Sequence, residues 1–324
     1  MTGSCITETA VYSIPMRTRF RGITVREGVL IRGVSGWGEF SPFWDYDVAD
    51  ARRWWPAGIE AAAGDWPAPL RDRIPVNCTV PAVDGVTAQE IVARSGCRTA
   101  KVKVAEPGQT VADDVERVAA VRDALGSSGV IRIDANGAWS VAEAVRAIAE
   151  IDRAAGGLEY AEQPCATLAE LAAVRRRVNV PIAADESIRR AEDPLRVALT
   201  GAADIAVLKV APLGGVRGAL AVAEACGLPV VVSSALETSV GLAAGLALAA
   251  ALPALPYACG LATAALLEGD VTSDPLVPID GFLAVRSVTP DLRGNVAADE
   301  QTCRRWYARV AAVTGQAFGP ARTA

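Results

Sequence analysis

Polar side chains stand near the ends of a series of short apolar segments. In chain order they are Lys103, Asp134, Glu162, Asp185 and Lys209, followed by Ser233 and Ser234. Neighbouring members are roughly 25 residues apart, the length of one strand, one helix and two short loops. In a barrel of parallel strands, all carboxyl ends open at one rim, where catalytic residues gather. The spacing therefore predicts that these side chains meet at the rim of an α/β barrel.

The segment "AKVKV" at 100–104 adds a second amine, because Lys101 precedes Lys103 by two residues. Alternate residues of a strand share a face, which brings the two side chains to roughly 6–7 Å from each other. A solvated sheet face tolerates such a pair, but the surrounding segments are apolar. Like-charge repulsion lowers the pKa of a lysine and favours its neutral, basic form. We therefore predict that Lys103 is a base and that Lys101 lowers its pKa.

Each of the three carboxylates has an ordinary structural interpretation when it is taken alone. Asp134 can close an Asx-turn, Glu162 can belong to a strand-end loop, and Asp185 can cap a helix. Three carboxylates at one rim are costly to bury unless a cation compensates their charge. Oxygen ligands without His or Cys favour Mg²⁺, and Mn²⁺ is expected to substitute.

Histidine is absent from the 324 residues. This excludes Ser-His-Asp and Cys-His triads, His-rich zinc sites and any histidine base. Acid–base chemistry must therefore use Lys, Asp, Glu, Tyr or Cys. The seven cysteines form no C-x-x-C pair, which favours a reducing compartment.

The overall composition indicates the class of protein. With 51% hydrophobic residues, 21% charged residues and a net charge of −5, the chain lacks the basic excess of a nucleic-acid binder. The apolar run 240–252 stops at Pro253, short of the ~20 residues that cross a bilayer. The start "MTGSCITETAVYSIP" lacks the features of a secretory signal. We expect a cytoplasmic protein with a small-molecule carboxylate partner and no nucleic-acid or membrane partner, of open oligomeric state.

Eight β-rich segments alternate with Ala-rich helical ones. The predicted strands are 74–80, 99–104, 130–135, 158–163, 181–186, 205–210, 229–234 and 256–260. Helical periodicity covers 112–125, 141–153 and 216–226. Continuous apolar strands are typical of parallel sheets buried on both faces, and eight of them favour a closed barrel. A doubly wound sheet is the alternative, but no G-x-G-x-x-G follows an early strand, and "PLGGVRGAL" at 212–220 lacks the P-loop ending.

Two further parts lie outside the predicted barrel of residues 74–279. Residues 1–73 are expected to form an α+β capping domain with a hairpin-like β segment at 25–43, a turn at Gly33–Gly36 and a helical stretch that holds Trp54 and Trp55. The tail 280–324 is expected to join this cap and to end in a helix near 303–313. No low-complexity linker separates the parts, so we predict two domains in contact.

Five segments together carry a family resemblance. They are "TAKVKVAE", "IRIDANGAW", "EYAEQPC", "IAADES" and "VLKVAPLGG". In this order they resemble the successive strand motifs of the enolase superfamily, in its muconate-cycloisomerase-type branch. The resemblance covers nearly the whole chain and implies a (β/α)7β TIM-like barrel with an α+β capping domain. Three further segments resemble one particular group of enzymes within that branch. They are residues 14–43, 233–245 and 257–267.

The resemblance also implies roles for individual residues. It assigns Mg²⁺ to Asp134, Glu162 and Asp185, and it places Lys103 and Lys209 on opposite sides of the substrate, with Lys101 as an auxiliary lysine. It assigns substrate contacts to Asn136, Ser233, Ser234, Gly260 and Arg19, and a mobile loop to Arg19–Val25. The chain departs from two relatives in the superfamily. It has no histidine base, and "YACGLA" replaces an Asp-x-Asp pattern after the eighth strand.

The implied activity is a Mg²⁺-dependent dehydration that starts with removal of a proton next to a carboxylate. Enolase-type sites combine a Lys or His base with Mg²⁺ for this chemistry. Racemisation of N-succinylamino acids on the same fold is an alternative, because it shares the machinery. From other classes, an aldolase barrel would use Lys209 as a Schiff-base amine, and a non-catalytic binding barrel would be expected to have lost at least one of these charged residues.

Overall fold

The computed structural model describes residues 6–189, 201–293 and 296–316 of the chain. Its N-terminal part is an antiparallel sheet with the strand order β1-β2-β3, followed by two helices. These elements are β1 (Glu8–Phe20), β2 (Ile23–Arg32), β3 (Trp37–Phe40), α1 (Val48–Arg52) and α2 (Trp55–Ala63). The turn between β2 and β3 is closed by a hydrogen bond from Gly33 N to Gly36 O, as predicted.

Strand β1 was not foreseen from the sequence. The predicted hairpin covered 25–43, whereas the longest pairing of the sheet joins β1 to β2. Pro15 interrupts the β1 sequence, and proline removes a ladder hydrogen bond from a central strand. It is tolerated here because β1 is at the edge of its sheet, and the pairing register shifts between Pro15 and Phe20.

Seven parallel strands form the main sheet in their chain order. They are β5 (Cys78–Val80), β6 (Thr99–Lys103), β7 (Val130–Asp134), β8 (Ala161–Glu162), β9 (Ile182–Ala184), β10 (Ile205–Leu208) and β11 (Val230–Val232). The predicted strand 256–260 is reduced to two bridges, from Cys259 to Val76 and from Gly260 to Ser233. These bridges close the sheet. The α/β TIM-like barrel is therefore confirmed, and the doubly wound alternative is excluded.

Helices cover the outside of the barrel. They are α3 (Gly85–Ser95), α4 (Val111–Leu125), α5 (Val141–Ala155), α6 (Leu168–Arg175), α7 (Glu186–Arg189), α8 (Val216–Cys226) and α9 (Ser239–Ala251). A short 3₁₀ turn (Thr263–Leu266) follows α9 in the chain. Capping boxes at Thr110, Ser140 and Thr167 begin α4, α5 and α6. Apolar helix α9 is buried nearly all round, and no helix in the described ranges has the length and apolarity to cross a membrane.

The predicted first barrel strand, 74–80, is divided in two. Its first half is β4 (Arg73–Pro75), which pairs with β12 (Phe282–Ala284) outside the barrel. The last helix of the described residues is α10 (Glu300–Thr314), which begins at the N-cap Asp299. The segment before α10 lies along β1, because Ser13 N donates to Val296 O and Ala298 N donates to Val11 O.

Candidate active site

The strand register brings charged side chains together at the carboxyl end of the barrel. Lys103 of β6 is opposite Asp134 of β7, and Asp134 is opposite Glu162 of β8. Asp185 directly follows β9, and Lys209 directly follows β10. With Lys101, these residues form what we call the floor of the site. The three carboxylates are at most 1% exposed.

The two lysines of β6 share one face and converge on one carboxylate. Their Nζ atoms lie 2.9 Å (Lys101) and 2.5 Å (Lys103) from Asp134 Oδ2. Lys101 Nζ also donates to Glu162 Oε1 at 2.6 Å, and Lys103 Nζ donates to Asn136 Oδ1 at 2.6 Å. Lys101 is thus held between two carboxylates, whereas Lys103 is held by one carboxylate and a neutral amide.

The third carboxylate has its own lysine on the neighbouring strand. Lys209 Nζ donates to Asp185 Oδ2 at 2.6 Å. The Asp185 backbone is fixed by Gln163, whose Oε1 accepts from Asp185 N at 3.0 Å and whose Nε2 donates to Ser187 Oγ at 2.7 Å. Sequence reasoning did not single out Gln163. The sequence feature that could have indicated it is its position at a strand end, between Glu162 and Pro164.

The different surroundings of the two β6 lysines shift their pKa values in opposite directions. Burial lowers the pKa of Lys103, and the positive charge of Lys101 lowers it further, although Asp134 works against this. The pKa of Lys101 is raised, because Asp134 and Glu162 together outweigh the effect of burial. The predicted direction for Lys103 is therefore found, but burial contributes more to it than Lys101 does.

The carboxylates of the floor also differ from one another. The two β6 lysines hold the pKa of Asp134 well below its usual range, despite burial. Burial, and then the charge of Asp134, raise the pKa of Glu162 to about 7. Glu162 Oε2 is buried without a hydrogen-bond partner. Such an oxygen costs free energy unless a cation or donor meets it, so the donor set fits a hard dication.

The carboxylates do not, however, form a ready-made metal cluster. Across the parts of the chain that the structure covers, no three Asp, Glu, Cys or His side chains lie together closely enough to hold an ion as they stand. Lys101 lies between Asp134 and Glu162, and Lys209 contacts Asp185. The expected convergence of three carboxylates is therefore interrupted by ammonium groups, which neutralise the same buried charge.

A pocket lies directly over the floor, and Lys101, Lys103, Asp134 and Lys209 line its base. Ser233 and Ser234, which follow β11, line one side, and Ser234 Oγ lies 2.6 Å from Thr263 Oγ1. Gly260 does not line the pocket. It is directly behind Ser233, where an added Cβ would meet Ser233 Oγ at 2.6 Å. Asn136 lines the pocket and donates from Nδ2 to Glu186 Oε1 at 3.1 Å.

The cap supplies most of the opposite side of the pocket. We call Phe20, Arg21, Phe43 and Leu236 the wall; the first three belong to the cap and Leu236 to the loop after β11. Lys103 Nζ lies 5.3 Å from the Phe20 ring centroid. The predicted loop Arg19–Val25 is the tip of the β1–β2 hairpin. Arg19 itself is exposed and is not among the residues that line the pocket, whereas Arg21 is.

The loop of Leu236 is fastened to the cap by a residue that sequence reasoning missed. Arg26 of β2 is 2% exposed and donates to Leu236 O at 2.9 Å, to Ala235 O at 3.1 Å and to Ser41 O at 2.6 Å. A charged residue within an alternating strand looks like a solvent-facing one. Only the position of the barrel loop over this face of the cap makes it a buried donor.

Family comparisons agree with this architecture. Residues 85–295 match the enolase C-terminal domain-like family model, and residues 11–62 match the enolase N-terminal domain-like model. Solved structures agree in fold. One is muconate lactonizing enzyme from Pseudomonas fluorescens, with TM-score 0.75 and 26% identity over 94% of this chain and 99% of that one. Another is the L-Ala-D/L-Glu epimerase from Bacillus subtilis, with TM-score 0.74 and 25% identity over 89% and 98%. The chain belongs to the enolase superfamily.

Curated relatives share more of the sequence. A protein of Thermobifida fusca is 66% identical over 93% of this chain and 94% of its own length. A protein of Mycobacterium leprae is 57% identical over 93% and 89%, respectively. Both are named o-succinylbenzoate synthase, which agrees with the narrower likeness of residues 14–43, 233–245 and 257–267. The chain is therefore an enzyme, a lyase of the enolase superfamily.

Proposed function

We propose that the enzyme dehydrates 2-succinyl-6-hydroxy-2,4-cyclohexadiene-1-carboxylate to o-succinylbenzoate, as a step of menaquinone biosynthesis in the cytoplasm. The proposed product follows from the name of the curated relatives, o-succinylbenzoate synthase. The observation that carries the proposal is the β6 lysine pair. Lys103 has a lowered pKa and lines the pocket, while Lys101 has a raised pKa and is held between two carboxylates.

The reaction requires one proton and one hydroxide to leave neighbouring carbons. We propose that neutral Lys103 takes the proton from the ring carbon that bears the carboxylate. The resulting ammonium group then returns a proton to the departing hydroxyl, so that water leaves and the ring becomes aromatic. Lys209 lines the same pocket and contributes a fixed positive charge toward the negative charge that develops on the substrate.

We propose that Asp134, Glu162 and Asp185 hold Mg²⁺, with Mn²⁺ as a substitute. When bound, the ion would neutralise charge that accumulates on the substrate carboxylate. The unpaired, buried Glu162 Oε2 and the raised pKa of Glu162 support this assignment. The lysines that now contact these carboxylates would then be released toward the pocket.

Asn136, Ser233 and Ser234 are proposed substrate contacts, because their side chains line the pocket beside Lys103 and Lys209. Gly260 is proposed to act indirectly, since any larger residue would displace Ser233. At the hairpin tip the proposed contact is Arg21 and not Arg19, because Arg21 lines the pocket. We also propose that the chain divides into a cap, residues 1–73 with 280–324, and a barrel, residues 74–279.

Two alternatives lead to different measurements. Racemisation of N-succinylamino acids would use the same lysines, one on each face of the substrate. An aldolase would use Lys209 as a Schiff-base amine, but Lys209 is engaged in an ion pair with Asp185. Borohydride trapping of a substrate adduct would support the aldolase.

The direct test offers purified enzyme with Mg²⁺ the cyclohexadiene substrate and an N-succinylamino acid in parallel. We expect the specificity constant, kcat/KM, to be larger for the cyclohexadiene. A larger kcat/KM for racemisation would replace the proposed function with its alternative, and turnover of neither compound would refute both.

A further inference from the structure

The turn at residues 43–46 connects the wall of the pocket to the hairpin tip. Phe43 lines the pocket, and the Arg21 guanidinium lies 4.0 Å from the centroid of its ring and 5.4 Å from that of Tyr46. Arg21 also pairs with Asp45 at 3.4 Å. The tip of the β1–β2 hairpin therefore rests on this turn, which contains one wall residue, Phe43, and contacts another, Arg21.

Little within the turn itself fixes its position. It contains no regular secondary structure, and one hydrogen bond, from Tyr46 N to Phe43 O, closes it. Trp44 is 48% exposed. A short turn of this kind needs contacts from other elements to hold a single conformation.

Some of those contacts come from the cap itself, where Phe43 and Tyr46 pack against Trp54. Others come from α10, near the other end of the chain. Arg309 donates to Phe43 O at 2.7 Å and to Tyr46 O at 2.9 Å through the same terminal nitrogen. Its guanidinium lies 4.6 Å from the Trp44 ring centroid and 5.6 Å from the Trp306 ring centroid. One side chain thus satisfies two carbonyls of the turn and packs against the indole between them.

We propose that Arg309 is a positioning residue for the active site, which holds the 43–46 turn and through it Phe43 and Arg21 of the pocket wall. The role extends the proposed function, since its kinetic consequence is measured on that reaction. Arg309 does not line the pocket, so its effect must pass through the turn.

An arginine is required at this position for two geometric reasons. A planar guanidinium stacks on aromatic rings and donates several hydrogen bonds in fixed directions, whereas a lysine ammonium is a compact point charge. A lysine at position 309 could make only some of these contacts. The matched control is Arg304, which lies on the same helix, is 66% exposed and pairs with Glu300.

The first experiment needs no substrate. Hydrogen exchange is measured by mass spectrometry on the full-length Arg309→Met, Arg309→Lys and Arg304→Met variants without ligand. We expect amides of residues 19–25 and 43–46 to exchange about tenfold faster in Arg309→Met and by a smaller factor in Arg309→Lys. Arg304→Met should match the wild type. Unchanged exchange in both segments of both Arg309 variants would overturn the proposal.

The second experiment is kinetic and separates positioning from general stability. If Arg309→Met loses the position of the wall, its KM should rise about tenfold while its kcat changes less than about threefold. The KM of Arg309→Lys should lie between the values for Arg309→Met and the wild type. Unchanged KM together with a lower unfolding temperature would reduce Arg309 to a structural residue. If the wild type itself does not turn over the cyclohexadiene, the proposed function fails, while the exchange result still decides the role of Arg309.

Discussion

The floor and the wall of the pocket are built in different ways. The floor consists of strand-end side chains, so the register of parallel strands fixes which lysine meets which carboxylate. The wall consists mainly of turn residues, two of which have left-handed backbones, Arg21 with φ 50° and Leu236 with φ 64°. Such conformations cost free energy in residues other than glycine and persist only where surrounding contacts impose them. The proposed chemistry therefore lies in the part that the sheet holds, and the boundary of the pocket lies mainly in turns.

This difference predicts that substitutions in the floor lower the rate of the reaction, whereas changes to the wall alter binding or stability. The largest effect is expected for Lys103→Arg. Arginine keeps the charge but does not release its proton under ordinary conditions. Dehydration should fall by about a thousandfold or more, and exchange of the substrate proton with deuterated solvent should stop. If Lys103→Arg still dehydrates while Lys209→Arg is inactive, the base is on the other side of the pocket.

A similar loss is expected when any carboxylate of the floor is removed. Asp134→Ala, Glu162→Ala and Asp185→Ala should each abolish turnover, because each would leave Mg²⁺ without a ligand and a lysine without its partner. A chelator should stop the wild type, and added Mg²⁺ should restore it. Metal analysis of the purified variants separates the two causes. Full activity in excess chelator would contradict the metal assignment.

Lys209→Arg is expected to have a smaller effect in the dehydration. The proposed task of Lys209 is electrostatic, and arginine keeps the charge, so about 1–10% of kcat should be retained. Racemisation needs a proton donor or acceptor on both faces, so the same variant should be inactive in that reaction. Assay of this variant on both substrates therefore distinguishes the two candidate reactions.

The connection between cap and barrel should contribute to stability. Arg26→Met would leave the buried carbonyls of Ala235 and Leu236 without donors, which we expect to lower the free energy of unfolding by about 3 kcal/mol. Arg32→Met, on the same strand but 55% exposed, should change it by less than about 0.5 kcal/mol. Urea unfolding followed by tryptophan fluorescence measures both. Equal values for the two variants would show that Arg26 does not fasten the loop.

The order of the chemical residues was readable because it repeats with the strands. The carboxyl ends of parallel barrel strands all lie at the same rim. Lys103, Asp134 and Glu162 were therefore expected at one rim, and they lie there. The sequence did not predict which lysine would pair with which carboxylate at this rim. Lys101 contacts both Asp134 and Glu162, and this depends on side-chain reach between three neighbouring strands.

By itself the sequence determined the α/β barrel, the side chains at its rim and the absence of any histidine base, because strand periodicity and residue type are local properties. Only the tertiary structure decided which arginines line the pocket and which ones hold the segments around it. Arg19, Arg21, Arg26 and Arg309 are the same residue type, yet Arg19 is exposed, Arg21 lines the pocket, and the other two hold backbone carbonyls. Their roles depend on contacts between the two ends of the chain and the barrel, and no local pattern records such contacts.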